Sequence, residues 1–162
     1  MKVIGVIAAV VISFGLGYLV APNSSTTLPS NSNALKTKII PRAETSRNSG
    51  NWGVMDIYTS GNTSTYGTEN MFTALADVLP GEAVHPEHRH AEEEFLLITR
   101  GTGVWSIEGE KFAAKKGDLL YAAPWKMHGL VNTGSDTLTF FVIKWNNKGI
   151  AAPAEPDGDH GR

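Results

Sequence analysis

Residues 81–101 read GEAVHPEHRHAEEEFLLITRG. A glycine lies at each end, three histidines lie in the first half, and an uninterrupted apolar run, FLLI, lies in the second. Because residues two apart in an extended chain share a face, His88 and His90 can present their imidazoles to the same point. The stretch therefore predicts a β-strand that begins beside a cluster of potential metal ligands.

A glutamate and a distant histidine extend this cluster. Glu94 keeps the required parity, whereas Glu93 faces the other way unless a turn after Ala91 resets the alternation. Two imidazoles and a carboxylate are a common set of ligands for a divalent cation, and His128 is the candidate for a third imidazole. The sequence thus predicts one metal site, formed by His88, His90, Glu94 and His128.

The region around the cluster has the pattern of an antiparallel β protein. Apolar runs alternate with turns that contain Gly, Pro or Asn, and no long helical stripe interrupts them. Their spacing predicts a barrel or a sandwich. The candidate strands are residues 53–58, 71–78, 95–99, 103–107, 111–113, 119–122, 128–132 and 138–145.

A second segment begins at Gly117 and continues through Pro124 and His128 to Asn132. Together with residues 81–101 it resembles the paired motifs of the cupin superfamily, over about residues 71–145. The resemblance implies an all-β double-stranded β-helix, or jelly-roll barrel. It also implies four metal ligands: His88, His90 and Glu94 from the first motif, and His128 from the second.

Two positions depart from the family pattern. Six rather than five residues separate Gly81 from His88, a change that a loop tolerates. Lys126 stands where the second motif usually has Gly, which alters the turn before His128 without removing this ligand. The glycines of the motifs, Gly81, Gly101 and Gly117, are interpreted as turn residues, and Asn132 as a structural residue.

The resemblance leaves two classes of function open, because one fold hosts many activities. The first is a metal-dependent enzyme, an oxygenase, isomerase or lyase, acting on a small organic substrate. The second is a non-catalytic module that binds or senses a metal or a small ligand, such as a sugar, at the cell envelope. Fe(II) or Mn(II) is the favoured metal, and Zn or Ni is an alternative.

Several side chains are candidates for the walls of a pocket above the metal. Trp105, Tyr121, Trp125 and Phe140 either belong to the core and rim or line such a pocket. Leu96, Ile98 and Leu130 would line a purely apolar one. His85 is either an exposed loop residue or an acid or base near the pocket mouth, and we favour the exposed interpretation. No Gly-x-Ser-x-Gly motif supports a nucleophilic hydrolase.

The ends of the chain differ in composition from the middle. Residues 1–21 are mostly apolar after Lys2 and predict a hydrophobic helix that serves as a signal peptide or a membrane anchor. A polar linker, residues 22–50, follows, with a hint of a short edge strand at 35–40. A single domain occupies residues 51–147, and residues 148–162, which include His160, form a disordered tail.

These boundaries and the composition lead to expectations about location and partners. The apolar N-terminus places the domain outside the cytoplasm, in the periplasm or cell envelope, anchored or secreted, and it is the only predicted contact with a membrane. A formal charge of −2 argues against nucleic acid, and the lack of cysteine excludes thiolate chemistry. Residues 95–98 and 140–143 are apolar on both faces, which predicts a homodimer.

Overall fold

The computed structural model describes residues 34–156. The predicted hydrophobic helix at residues 1–21, the first part of the predicted linker and His160 lie outside the described residues. Within residues 34–156, no helix is long and apolar enough to cross a membrane.

Strands dominate the described part of the chain, and they confirm the predicted all-β class. A three-residue 3-10 helix, η1, spans Arg42–Glu44. The strands are β1 (Ser46–Gly50), β2 (Gly53–Thr63), β3 (Thr68–Val78), β4 (Glu93–Arg100), β5 (Thr102–Ile107), β6 (Glu110–Lys115), β7 (Leu119–Ala122), β8 (His128–Val131) and β9 (Leu138–Asn147).

Two antiparallel sheets form a sandwich with the jelly-roll character that the sequence predicted. The larger sheet has the strand order β1-β2-β3-β9-β4-β7, and the smaller has the order β6-β5-β8. The hydrophobic core combines inward residues of both sheets, such as Val78, Ile98 and Leu138 with Trp105 and Ala114. Each of the eight predicted strands lies within β2 to β9, except that β8 ends at Val131 instead of continuing to 132.

The remaining strand, β1, lies inside the segment that the sequence analysis assigned to the linker. The short edge strand predicted at residues 35–40 is wrong, because that segment has no strand and the edge strand lies at Ser46–Gly50. Its sequence, SRNSG, has no apolar residue and every position is exposed, so no hydrophobic alternation marks it. It is held instead by its pairing with β2 and by charged side chains.

A buried carboxylate supplies that charged contact. Asp56, on β2, is 1% exposed and accepts hydrogen bonds from Arg42 Nε at 2.6 Å and from Arg47 Nε at 2.7 Å. The hydrogen bonds from Arg47 and Arg42 outweigh the effect of burial and lower the pKa of Asp56. The 3-10 helix and β1 are thereby tied to the larger sheet.

The structure also confirms the interpretation of the motif glycines as turn residues. Gly81, Gly101 and Gly117 have φ angles of 82°, 81° and 94°, a region that side chains disfavour. At Gly101, a Cβ would lie 2.8 Å from the Cα of Leu138, so there is no room for a side chain. The turns after β3, between β4 and β5, and before β7 therefore depend on glycine.

Asn132 joins the two sheets as a structural residue. Its side chain is 1% exposed, and Nδ2 donates to the carbonyl oxygens of Val78, at 2.8 Å, and Asp136, at 2.9 Å. Its Oδ1 accepts from the amide of Gly134 at 2.9 Å. Because every polar atom of this buried amide takes part, Asn132 fixes the end of β8 against β3.

Part of the outward face of the larger sheet, over β4, β7 and β9, is apolar. Phe95, Leu97, Leu119, Phe141 and Ile143 line a shallow groove of about 240 Å³ on it. Leu119 lies on the edge strand β7 and is 59% exposed. Such a patch is costly to leave in water, so the homodimer stays our prediction, with a second copy of the chain covering this groove.

We expect Leu119→Glu to convert a dimer into a monomer without unfolding it, because the charge enters the groove while the side chain contributes little to the core. Sedimentation velocity at micromolar concentration measures the change. Phe112→Glu, at an exposed position of the smaller sheet, is the matched control and should leave the dimer intact. A monomeric parent protein would contradict the prediction.

Candidate metal centre

A pair of backbone hydrogen bonds brings the two histidine segments together. The amide of His88 donates to the carbonyl oxygen of His128 at 3.0 Å, and the amide of His128 donates back at 2.9 Å. His128 is the first residue of β8, whereas His88 lies in the connection between β3 and β4. The bridge therefore places two imidazoles side by side from segments forty residues apart.

Strand alternation was predicted to turn Glu94 towards His88 and His90. Glu94 does face inward, but alternation along one strand is not the reason. The chain bends at residues 91–92, and β4 begins only at Glu93, so His88 to Glu94 is not one continuous strand. Glu94 nevertheless faces inward and is 6% exposed. Glu93 faces outward, where its carboxylate accepts hydrogen bonds from Tyr121 Oη, at 2.8 Å, and Asn147 Nδ2, at 2.9 Å.

Three imidazoles converge at this point. The ring centroids of His88, His90 and His128 lie 4.6 to 5.2 Å apart. One nitrogen atom of each ring lies within 4.8 Å of the others, a separation that one cation can bridge. These three residues are therefore positioned to bind a metal.

Backbone carbonyls set the orientation of two of the rings. His90 Nδ1 donates to the carbonyl oxygen of Glu92 at 3.1 Å, and His128 Nδ1 donates to that of Lys126 at 2.7 Å. Each bond directs Nδ1 to the backbone and turns Nε2 towards the site, where it can serve as a ligand atom. Both Nε2 atoms face the Glu94 carboxylate, at 3.1 Å from His128 and 3.4 Å from His90.

Two nitrogen atoms of the cluster have no hydrogen-bond partner among the described residues. They are His88 Nδ1 and His90 Nε2, and both are buried. The 3.4 Å approach of Glu94 to His90 Nε2 falls short of hydrogen-bond geometry. A buried polar atom without a partner destabilises the folded protein, and the unprotonated nitrogen of an imidazole can bind a cation instead. The residues present therefore fit a divalent metal.

The protonation states suit coordination. Burial, followed by the neighbouring histidines, lowers the pKa of His88 to about 4, so its ring is neutral at physiological pH. Burial alone would raise the pKa of Glu94, but the hydrogen bond with His128 and the nearby imidazole of His90 outweigh it and lower the pKa to about 2. The site thus combines a neutral imidazole with an ionised carboxylate.

A cavity of about 350 Å³ opens beside the cluster. Its polar lining residues are His85, His88, Glu94, His128 and Lys144. The remaining lining is apolar apart from the backbone of Gly129, and comprises Met55, Phe72, Val84, Leu96, Trp105, Leu120, Leu130, Phe140 and Val142. A small, mostly apolar chamber with a few convergent polar groups is typical of a ligand site.

Some of the side chains that the sequence predicted for the cavity wall line the cavity, and others lie elsewhere. Trp105, Phe140, Leu96 and Leu130 line the cavity. By contrast, Tyr121 bonds to Glu93 on the outer face, and the indole of Trp125 donates to the carbonyl oxygen of Pro153 at 2.7 Å. Ile98 is buried in the core.

His85 is exposed, as the favoured interpretation predicted, but it also touches the cluster. Its ring lies edge-on to that of His88, with centroids 4.0 Å apart, and it lines the cavity. Its Nδ1 lies 2.9 Å from the carbonyl oxygen of Pro86. It therefore lies at the cavity mouth, outside the group of three imidazoles that share a ligand point.

The described end of the predicted tail contacts the loop that carries His90. The amide of Trp125 donates to the carbonyl oxygen of His90 at 2.7 Å, and the Trp125 indole reaches Pro153. Glu155 forms an ion pair with Arg89 at 3.1 Å. Residues 151–156 form no strand, yet they supply specific polar contacts where the sequence analysis predicted disorder.

Sequence reasoning missed one polar residue of the cavity. Lys144 continues the inward row of β9 after Phe140 and Val142, while the alternate residues Phe141 and Ile143 face outward. The signal was present, because a lysine at the inward parity of an otherwise apolar strand is unusual. It was overlooked because the preceding residues, 140–143, were interpreted as apolar on both faces.

An all-β sandwich with an imidazole cluster beside an internal cavity is the arrangement of a small jelly-roll protein with a candidate metal site. Within it, residues 74–144 match the model of the cupin domain family. This range includes all four predicted ligands, His88, His90, Glu94 and His128. This match covers less than half of the chain and supports a small protein of the cupin type.

Comparisons with curated proteins and solved structures agree with this assignment. The chain is 33% identical over 76 residues to a gentisate 1,2-dioxygenase of Streptomyces sp, covering 46% of this chain and 21% of that protein. It is 32% identical to a 5-nitrosalicylic acid 1,2-dioxygenase of Bradyrhizobium sp, covering 47% and 36%. The matches thus span about a fifth to a third of these relatives.

A solved structure supports the fold alone. The Cupin 2 conserved barrel domain protein from Salinispora arenicola superposes with a TM-score of 0.52 at 20% sequence identity. The superposition covers 70% of this chain and 91% of that one.

We expect His88→Ala, His90→Ala and His128→Ala each to weaken metal affinity about a hundredfold or more, because the three imidazoles share one ligand point. Titration of the metal-free protein with Zn(II) against a competing chelator measures the affinity. His85→Ala, which removes an adjacent imidazole outside this group, should retain metal.

The glutamates provide a matched pair for the same titration. Glu94→Gln should weaken binding, whereas Glu93→Gln, on the outer face, should not. Equal losses from the two variants, or parental affinity in His128→Ala, would overturn the four-ligand interpretation.

We expect the stability of the metal-free protein to fall as the pH drops from about 6.5 to about 4, because His88 takes up a proton in the unfolded chain but not in the folded site. One such group contributes up to about 1.4 kcal/mol per pH unit. Urea unfolding in the presence of chelator measures the free energy. His88→Gln should show a shallower decline, and parallel curves for the two proteins would contradict this reasoning.

Proposed function

We propose that this chain is a metal-dependent enzyme of the dioxygenase type that acts on a small organic molecule. The observation that carries the proposal is the position of the imidazole cluster. His88, His128 and Glu94 belong both to the candidate metal site and to the wall of a 350 Å³ cavity. A molecule in this chamber would lie directly beside the metal.

The donor set limits the chemistry. Imidazole and carboxylate ligands without sulfur suit Fe(II) or Mn(II), with Zn and Ni as alternatives. His88, His90, His128 and Glu94 would hold the ion, which would supply Lewis acidity and, for Fe(II) or Mn(II), redox chemistry with dioxygen. Four protein ligands leave about two of six octahedral positions for other molecules.

The side chains of the chain itself would exclude water and orient the substrate. Leu96, Trp105 and Phe140 make the chamber apolar, which strengthens any charge interaction inside it. His85 presents an imidazole at the mouth, in contact with His88, where it can exchange a proton with the contents of the cavity. The chamber thus has an imidazole at its mouth in addition to the apolar lining that would be sufficient for simple ligand binding.

The named activities of the two curated relatives support the oxygenase branch over an isomerase or a lyase. Both are 1,2-dioxygenases, and their names identify gentisate and 5-nitrosalicylic acid as what they act on. A small aromatic molecule also suits a chamber whose wall includes Phe72, Trp105 and Phe140. The predicted location outside the cytoplasm depends on residues 1–21 and stays a prediction.

We expect Fe(II)-loaded protein, prepared without oxygen, to consume dioxygen when gentisate or salicylate is added. An oxygen electrode and product analysis measure the reaction. The Zn(II)-loaded protein is the redox-inert control, and His128→Ala should lose the activity together with the metal. If Fe(II) and Mn(II) forms bind these molecules without oxygen uptake, the chain is instead the binding or sensing module that the sequence left open.

A further inference from the structure

Lys144 is the one cationic side chain that lines the cavity within the described part of the chain. It lies on β9, directly opposite Glu94 of β4 and Phe72 of β3 in the register of the larger sheet. Its side chain therefore belongs to the inward row, at the level of the metal cluster. A positive charge at such a position needs an anionic partner or a specific use.

The described residues provide no such partner. Lys144 has neither an ion pair nor a side-chain hydrogen bond there, although it is half-buried and opposite a carboxylate in register. Its ammonium lies 5.9 Å from the centre of the Phe72 ring, a weak cation–π contact. Glu94 instead directs its two oxygens towards His128 and His90. The ammonium is therefore available to a molecule in the cavity.

Lys144 also lies close to the cluster. It lines the same cavity as His88, Glu94 and His128. Lys144 and the candidate metal ligands therefore act on the same small volume. One molecule of modest size can contact both.

The other lysines have different surroundings. Lys111 pairs with Glu87 at 3.2 Å and Lys126 pairs with Glu108 at 3.2 Å, both at the surface. Lys148 donates to the carbonyl oxygen of Thr65. Lys144 differs from these three because its ammonium faces the cavity and has no oxygen acceptor among the described residues.

We propose that Lys144 is a specificity-determining residue that pairs with the carboxylate of a small, flat organic acid held in the cavity. The acid would place its ring among Phe72, Trp105 and Phe140 and its other polar groups towards the histidine cluster. This inference rests on the proposed function in taking the cavity as the substrate chamber. It adds which part of the substrate is recognised and by which residue.

The test compares an acid with its neutral amide, salicylate against salicylamide, on the Zn(II)-loaded full-length chain. Calorimetry measures both affinities at full metal occupancy, so no turnover is needed. The parent should prefer salicylate. Lys144→Met, which keeps most of the apolar stem, should weaken salicylate binding about tenfold or more and leave salicylamide almost unchanged, since a charge-assisted hydrogen bond contributes that much.

Two further variants separate recognition from general effects. Lys144→Arg should retain most of the preference for the acid, because the charge remains. Lys116→Met removes an exposed charge that does not line the cavity and should change nothing. If Lys144→Met does not fold, Lys144→Gln takes its place. A merely structural lysine would weaken both probes alike.

The proposal is overturned if the parent binds no salicylate, if it shows no preference for the acid, or if that preference survives in Lys144→Met. These outcomes are distinct from a failure of the proposed function. An acid preference that depends on Lys144 but comes without oxygen uptake would retain this inference and reject the dioxygenase. Oxygen uptake combined with an acid preference that does not depend on Lys144 would retain the dioxygenase proposal and reject this inference.

Discussion

The reciprocal backbone bond between His88 and His128 is the contact on which the site depends. It joins the connection between β3 and β4, in the larger sheet, to the start of β8, in the smaller one. At the other end of β8, Asn132 donates to the carbonyl oxygen of Val78. With both ends held, β8 cannot slide relative to β3 and β4, so ligands from two sheets keep one geometry.

The cavity brings together polar and charged groups that are not expected side by side in an apolar interior on grounds of folding stability alone. The neutral imidazole of His88, the ionised Glu94 and the ammonium of Lys144 all face a mostly apolar chamber. Two imidazole nitrogens find no partner among the described residues. Such local conflicts are expected where function sets the sequence, and a bound cation would offset part of their cost by binding the folded state alone.

Much of this arrangement could be predicted from the sequence, because the turns and the ligand spacing depend on residues that are close together in the chain. Glycines at 81, 101 and 117 mark turns that only glycine adopts easily, and His88, His90 and Glu94 lie close together in sequence between the first two of them. Features that depend on tertiary contacts could not be predicted from the sequence. The strand Ser46–Gly50 has no apolar pattern and depends on Asp56, and the pairing of β9 with both β3 and β4 decides which residues lie beside Lys144.

The contact between Trp125 and Pro153 has a practical side for anyone producing the protein. Trp125 has a positive φ of 64°, an unfavourable conformation for a large side chain, and it donates its backbone amide to His90 and its indole to Pro153. A purification tag or fusion partner that pulls residues 151–156 away would remove one of these two anchors. Placement of the tag would then alter how firmly the His90 loop is held, and metal content measured on tagged material would report partly on the tag.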